Sequence, residues 1–251
     1  MKTTYSAPAL EKGLDILEAL AREPDSLSLT RLATELGRSK SEIFRMVMVL
    51  LERGYVARDP DSDTLTLTDR LFTLGMRTPR ARDLVSAAMP LMRALADETH
   101  FSLHLVVVSQ GKTAVIGAVP GGRDFVFGLR LGFHRPALDA TSGKVIIAYQ
   151  NVRVQGEMIH EALPLMAKET DQAALMAELA LIRADGFAHH KSRHFVGLMD
   201  LCCPVLDAND EAIASIIMAH MQSPGEEDKL IDHLPALRDL CRKASRAAGL
   251  A

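Results

Sequence analysis

No stretch of this 251-residue sequence approaches the ~20 uncharged apolar residues that a membrane-spanning helix requires. The first twenty residues, MKTTYSAPALEKGLDILEAL, also lack the uninterrupted apolar core of a secretory signal, because Glu11, Lys12, Asp15 and Glu18 divide them. A cytoplasmic protein with no membrane partner is the expectation. Cysteine is scarce too. Cys202, Cys203 and Cys241 have no Cys-x-x-Cys spacing for zinc, and an adjacent pair is a poor disulfide framework. They read as reduced, small apolar packing residues.

An excess of positive charge is also missing. The net charge is −3, so any affinity for nucleic acid has to be local. Between Arg22 and Asp59 the cations Arg22, Arg31, Arg38, Lys40, Arg45, Arg53 and Arg58 are nearly matched by acids, but Arg38, Lys40 and Arg45 cluster at the start of one helical pattern. Finally, the sequence carries no G-x-S-x-G elbow, no complete phosphate loop and no G-x-G-x-x-G. ATSGK resembles the tail of a phosphate loop without its upstream glycine, and SGK at a helix start reads more simply as a polar ligand clamp. No cofactor is expected.

What is present is ordinary for a folded protein: 48% hydrophobic and 24% charged residues, over a length that supports one large or two medium domains. ALEKGLDILEALAR places Leu10, Leu14, Leu17 and Leu20 or Ala21 at helical spacing, before a break at EPDSL. SLTRLATELG reads as a helix opened by Ser28, with Leu29, Leu32, Ala33 and Leu36 on one face, and stopped at Gly37. After a two-residue turn comes a third helix. Ser39 as N-cap and Glu42 three residues on form a capping box. Ile43, Val47, Leu50 and Leu51 make its apolar stripe, and Gly54 ends it. YVARDPDSDTLTLTD then reads as a hairpin.

Helix, turn, helix and hairpin is the order of a winged helix-turn-helix. Many small helical modules share part of it. The polar, cationic first turn of the third helix favours DNA, because that end of a recognition helix meets base edges and phosphates.

The pattern breaks at Gly75 and Pro79, which sets a domain boundary between 1–78 and 79–251. A long amphipathic helix runs from about Ala81 to Glu98. Two β-rich runs around SQGK form a hairpin. FVFGLRLGFHRPALDATSGKVIIAYQ gives a strand, a loop and a helix starting near Ser142. DQAALMAELALIRADGF is a helix ended by Gly186, the apolar strands around DAND make a second hairpin, and a helix closes the chain. The fold class is α+β, an antiparallel sheet flanked by helices.

Over nearly its full length the chain resembles the IclR family of bacterial transcription regulators. The N-terminal motifs are KGLDILEAL, LSLTRLATELGRSKSEIFRMVMVLLERGYVARD and LTLTDRLFTLG. The C-terminal ones are SLHLVVV, LRLGFHRPALDATSGKVIIA, LALIRADGF and VGLMDLCCPVLDANDEAIASI. The resemblance implies an N-terminal winged helix-turn-helix, a linker helix and a C-terminal GAF-like effector-binding domain. It further implies a homodimer or homotetramer on double-stranded operator DNA, with affinity set by a small organic effector, as in control of a catabolic pathway.

The positions carried over for DNA contact are Arg38, Ser39, Lys40, Ser41, Glu42, Phe44 and Arg45, with Arg58 toward the wing. Many family members have threonine where this chain has Glu42. A carboxylate there can accept from a cytosine amino group or simply cap the helix, and the cap alone is sufficient reason for it.

The expected effector set is Gly132, Ala140, Ser142 and Gly143 from one pocket wall, and His104, Asp200, Met218 and His220 from the strands. Asp200 stands where family members sensing small keto-acids tend to carry cysteine, and Met218 and His220 replace their serines. A carboxylate in an apolar pocket costs free energy unless paired. Asp200 would repel an acid and welcome an amine, a hydroxyl donor or a metal; alternatively it caps or pairs with an arginine or His104. His104, Asp200 and His220, with the run His189, His190 and His194, raise a metal reading. The competing functions are a metal- or ligand-binding α+β enzyme with an accessory winged-helix module, and a protein-binding adaptor.

Overall fold

The computed structural model describes residues 7–22, 26–71, 74, 79–122, 128–192, 194–222 and 229–249. The chain divides into two compact units, Met1–Thr78 and Pro79–Ala251.

In the first unit, helices α1 (Pro8–Arg22), α2 (Leu29–Glu35) and α3 (Lys40–Glu52) pack with a small antiparallel sheet in the order β1–β3–β2 (β1 Leu27–Ser28, β2 Val56–Arg58, β3 Thr64–Leu67). The buried core comprises Ile16, Ala19, Leu20, Leu27, Leu32, Ala33, Ile43, Val47, Val56 and Leu65. The expected face of α1 holds in its second half, where Leu20 is buried with Ile16 and Ala19 and Leu17 packs against the core, whereas Leu10 and Leu14 are exposed at 63% and 49%. Ser28 does start α2, its hydroxyl accepting from the Arg31 amide at 3.2 Å. Gly37, with φ +60°, makes the left-handed turn between α2 and α3. The pairing of Leu27 and Ser28 with β3 was not expected, since two residues carry no alternation to read.

The second unit is built on a six-stranded antiparallel sheet in the order β6–β5–β4–β9–β8–β7. Its strands are β4 (Ser102–Ser109), β5 (Lys112–Val119), β6 (His134–Pro136), β7 (Ala188–Lys191), β8 (Leu198–Leu206) and β9 (Ala212–Met221). Helices α4 (Pro79–Thr99) and α8 (Leu234–Ala247) cover one face. Leu84, Ala88, Met92 and Leu95 of α4 join Leu237, Leu240 and Cys241 of α8 over Leu103, Leu105, Leu201, Ile216 and Met218. Helices α5 (Thr141–Ala148), α6 (Val152–Ala162) and α7 (Gln172–Asp185) lie on the other, where Val145, Ile147, Leu179 and Ile182 pack with Val106, Cys202 and Ile217.

Alternation along each strand assigns side chains to one layer or the other. Helix α6 and the short strand β6 were not foreseen. Of the strand expected at FVFGLRL, 125–127 lie outside the described residues and 128–131 are not a strand. All three cysteines are free and buried, and burial pushes their thiols up, Cys203 to about 12, which suits packing.

Candidate functional site

Helix α3 has a buried and an open side. Ile43 and Val47 face the core, while Lys40, Ser41, Phe44, Arg45 and Met48 are exposed, at the spacing of one helical face. Glu42 Oε2 accepts from the Ser39 amide at 2.9 Å and the Ser39 hydroxyl at 2.8 Å, the capping box read from the sequence. These hydrogen bonds, the backbone one foremost, with help from Lys12, hold its carboxyl at about 2. Lys12 Nζ lies 3.5 Å from Oε1. Arg38 is also engaged within the unit, its Nη2 donating to Asp15 Oδ2 at 2.9 Å. In the wing, Arg58 Nε lies 3.0 Å from Asp63 Oδ1. Arg38 and Arg58 thus have carboxylate partners close at hand within the unit, whereas Lys40 and Arg45 stand exposed on the open side of α3.

In the second unit, a cavity of about 340 Å³ opens between the sheet and the start of α5. Of the expected effector residues it brings together His104, Ala140, Ser142 and Asp200. Four others do not line it. Gly132 is exposed in the turn before β6, and its local geometry instead sets Phe133, which does line the cavity. Gly143 is buried against the Ala137 carbonyl so closely that a Cβ would overlap it; its role is to seat α5. Met218 and His220 are corrected by strand alternation. Ile217 and Ala219 face the cavity, so Met218 falls in the core beneath α4 and α8, and His220 stacks on Phe101 with ring centroids 4.7 Å apart. His104, Asp200 and His220 consequently do not converge, and no group of three or more potential metal ligands occurs among the described residues.

The cavity's polar groups come largely from residues that the sequence reading did not select. Thr141, at the first turn of α5, donates to Asp200 Oδ2 at 3.2 Å. Burial raises Asp200 to about 6, against the lowering effects of that hydrogen bond and of the Arg135 and His194 charges. Arg135 of β6 lies over Phe133 at 5.1 Å and Phe195 at 6.0 Å. Burial lowers its pKa, and Asp139 and Asp200 act in the opposite direction. His194 Nε2 lies 3.0 Å from Asp139 Oδ2.

His104 accepts from the Leu129 amide through Nε2 at 2.9 Å, which puts the ring hydrogen on Nδ1 in the neutral form; burial holds its pKa near 4. Lys144 is buried, and its ammonium reaches both oxygens of Glu178 on α7 at 2.7 and 2.8 Å. The lysine of SGK is thus tied to a neighbouring helix. Arg135 and Thr141 had a sequence signal, since both lie within GFHRPALDATSGK, part of the motif already singled out, but nothing in the spacing showed which side chains turn inward.

This combination of an open-faced helix-turn-helix and a cavity-bearing α+β unit has clear relatives. A model of the IclR helix-turn-helix domain matches residues 9–60, and one of the C-terminal part of the bacterial transcriptional regulator IclR matches residues 76–246. The chain belongs to the IclR family. It is 26% identical over 252 residues to the HTH-type transcriptional regulator KdgR of Escherichia coli, covering 99% of this chain and 95% of that one. It is 26% identical over 253 residues to the p-hydroxybenzoate hydroxylase transcriptional activator of Acinetobacter baylyi, covering 95% and 91%.

Among solved structures, an IclR regulator from Alicyclobacillus acidocaldarius superposes with a TM-score of 0.81 at 22% identity, covering 98% of this chain and all of that one. An IclR homolog from Microbacterium hydrocarbonoxydans, complexed with 4-hydroxybenzoate, gives 0.81 at 18% identity, covering 97% and 100%. At such identities the structures speak for the fold alone. As an IclR-family member the chain is a DNA-binding transcriptional regulator, not an enzyme.

Proposed function

We propose that this IclR-family chain binds double-stranded operator DNA through α3 and releases or tightens it in response to a small molecule held in the 340 Å³ cavity. The observation that carries the DNA half is the exposed strip Lys40, Ser41, Phe44 and Arg45 on the helix opened by the Ser39–Glu42 box. Lys40 and Arg45 suit phosphate or a guanine edge, Ser41 suits phosphate, and Phe44 suits a thymine methyl. Glu42 and Ser39 position the helix start, Arg38 ties it to α1, and Arg58 belongs to the wing.

The effector half rests on a concave site with convergent polar groups in an apolar setting. A ligand there changes DNA affinity only through unequal affinity for two states of the protein, and each factor of ten is about 1.4 kcal/mol of coupling. Helix α4, whose sequence joins the two units, is the coupling element in this reading. The working form is a homodimer or homotetramer, as two symmetric half-sites require two copies of α3.

Selection of bound duplexes from random DNA by the full chain tests this reading. The expected product is one motif with two-fold symmetry and half-sites about one helical turn apart. A pool that stays random after repeated rounds would overturn it.

A further inference from the structure

The charges around the cavity are already matched to one another. Lys144 gives two hydrogen bonds to Glu178, and His194 sits against Asp139. Arg135 faces the acids Asp139 and Asp200. Lys191, which also lines the cavity, lies at its exposed rim, where water screens it. A carboxylate ligand would therefore bring another acid beside Asp200, and the interior cation it could meet among the described residues, Arg135, already lies in the field of Asp139 and Asp200.

Asp200 itself is about nine-tenths buried, at 9% exposure, and borders the cavity. Thr141 donates to its Oδ2; Oδ1 has no donor among the described residues. A carboxylate oxygen that borders the cavity in so apolar a setting favours a ligand group able to donate a hydrogen bond. Arg135 supplies the opposite chemistry, N–H donors with no capacity to accept. The aromatic rings of Phe133 and Phe195 are beside it. A hydroxyl group can donate to a carboxylate and accept from a guanidinium, so it satisfies both without adding charge.

We propose that the effector is an uncharged, hydroxyl-rich small molecule of the sugar or sugar-alcohol type, with Asp200 accepting one of its hydroxyl hydrogens, Arg135 donating to a hydroxyl oxygen, and the free acid of the same skeleton disfavoured. This rests on the cavity being the effector site. Asp200 is then the residue that sets ligand class, and the volume suits a single five- or six-carbon unit better than an oligomer.

The test is calorimetric binding to the full chain at pH 7.5, using five- and six-carbon sugars and sugar alcohols, each paired with its aldonic acid. At least one neutral compound is expected to bind tenfold or more tightly than its acid partner. Asp200→Asn should weaken the neutral ligand about tenfold, the scale of one hydrogen bond to a charged group, and narrow or invert the preference over the acid. Acids binding wild type as well as the neutral compounds, or no neutral compound binding, would overturn the proposal; neither comparison needs a variant to fold.

Ala219→Leu, which enlarges a cavity-lining side chain, separates the two failures. If acids are preferred and this variant abolishes their binding, the ligand class is wrong and the site stands. If binding survives in this variant, the ligand lies elsewhere and both readings fall.

Discussion

Thr141 and Asp200 join the start of α5 to the first part of β8 by a single 3.2 Å hydrogen bond, hydroxyl to Oδ2, at the wall of the cavity. The bond fixes the orientation of a carboxylate that burial would otherwise neutralise. It is also too weak to restore Asp200 to an ordinary carboxylate pKa, since desolvation remains the largest influence.

That imbalance has a consequence for stability. Asp200 titrates near 6 in the folded chain against 3.8 for the free side chain. A raised carboxyl favours folding below the unfolded value, and this contribution is lost as pH rises through the folded value. At pH 7.5 the wild type therefore carries a buried charge that Asp200→Asn lacks. The variant is expected to unfold about 2 kcal/mol harder at pH 7.5, with the difference shrinking toward zero between pH 6 and 4. His104 has the opposite sign: its stabilising contribution is present above 6.5 and is lost as pH falls through about 4. The comparison of variant with wild type at each pH, by denaturant titration, isolates Asp200 from His104.

The Lys144–Glu178 pair links α5 to α7 with the lysine side chain 7% and the glutamate 26% exposed. Lys144→Met should cost about 2 kcal/mol, chiefly because Glu178 keeps its charge without its partner. The double replacement Lys144→Met with Glu178→Leu should recover most of that loss. A double variant as unstable as the single one would show that the pair contributes packing rather than charge balance.

Glu42 is engaged at the start of its own helix. Both of its oxygens have partners inside the unit, Ser39 and Lys12. Glu42→Gln preserves the length and acceptor of a capping box. It is expected to leave the selected DNA motif unchanged, while Glu42→Ala lowers the thermal midpoint and also leaves the motif unchanged. A shift of one base-pair preference in Glu42→Gln would mean that the carboxylate reads DNA directly.

The helix-turn-helix and the antiparallel sheet are legible because their signals are local: a capping box at Ser39–Glu42, Gly37 at a left-handed turn, and apolar runs on either side of the DAND turn. The cavity was less so. Asp200 was readable as an acid among apolar residues, and Ala140 and Ser142 through the family motif. Met218 and His220 fell on the wrong layer because sequence alternation reveals two faces without saying which one holds the cavity. Arg135 went unselected because β6 is three residues long, and its inward direction depends on pairing with β5 at Lys112–Ala114. The division of charges between internal partners and ligand was invisible too. Lys144 meets Glu178 across 34 positions of sequence, a distance over which spacing carries no information.

In the function proposed above, the open face of α3 meets DNA. The most direct test is the affinity of the full chain for its selected operator across a range of salt concentrations, for wild type and Arg45→Ala. Binding should weaken steeply as salt rises. Arg45→Ala should lower affinity and, if its contact is with phosphate, reduce the salt slope by roughly one; contact with a guanine edge would instead relax specificity at one position. Affinity, slope and motif all unchanged in Arg45→Ala would contradict the assignment of this face to DNA.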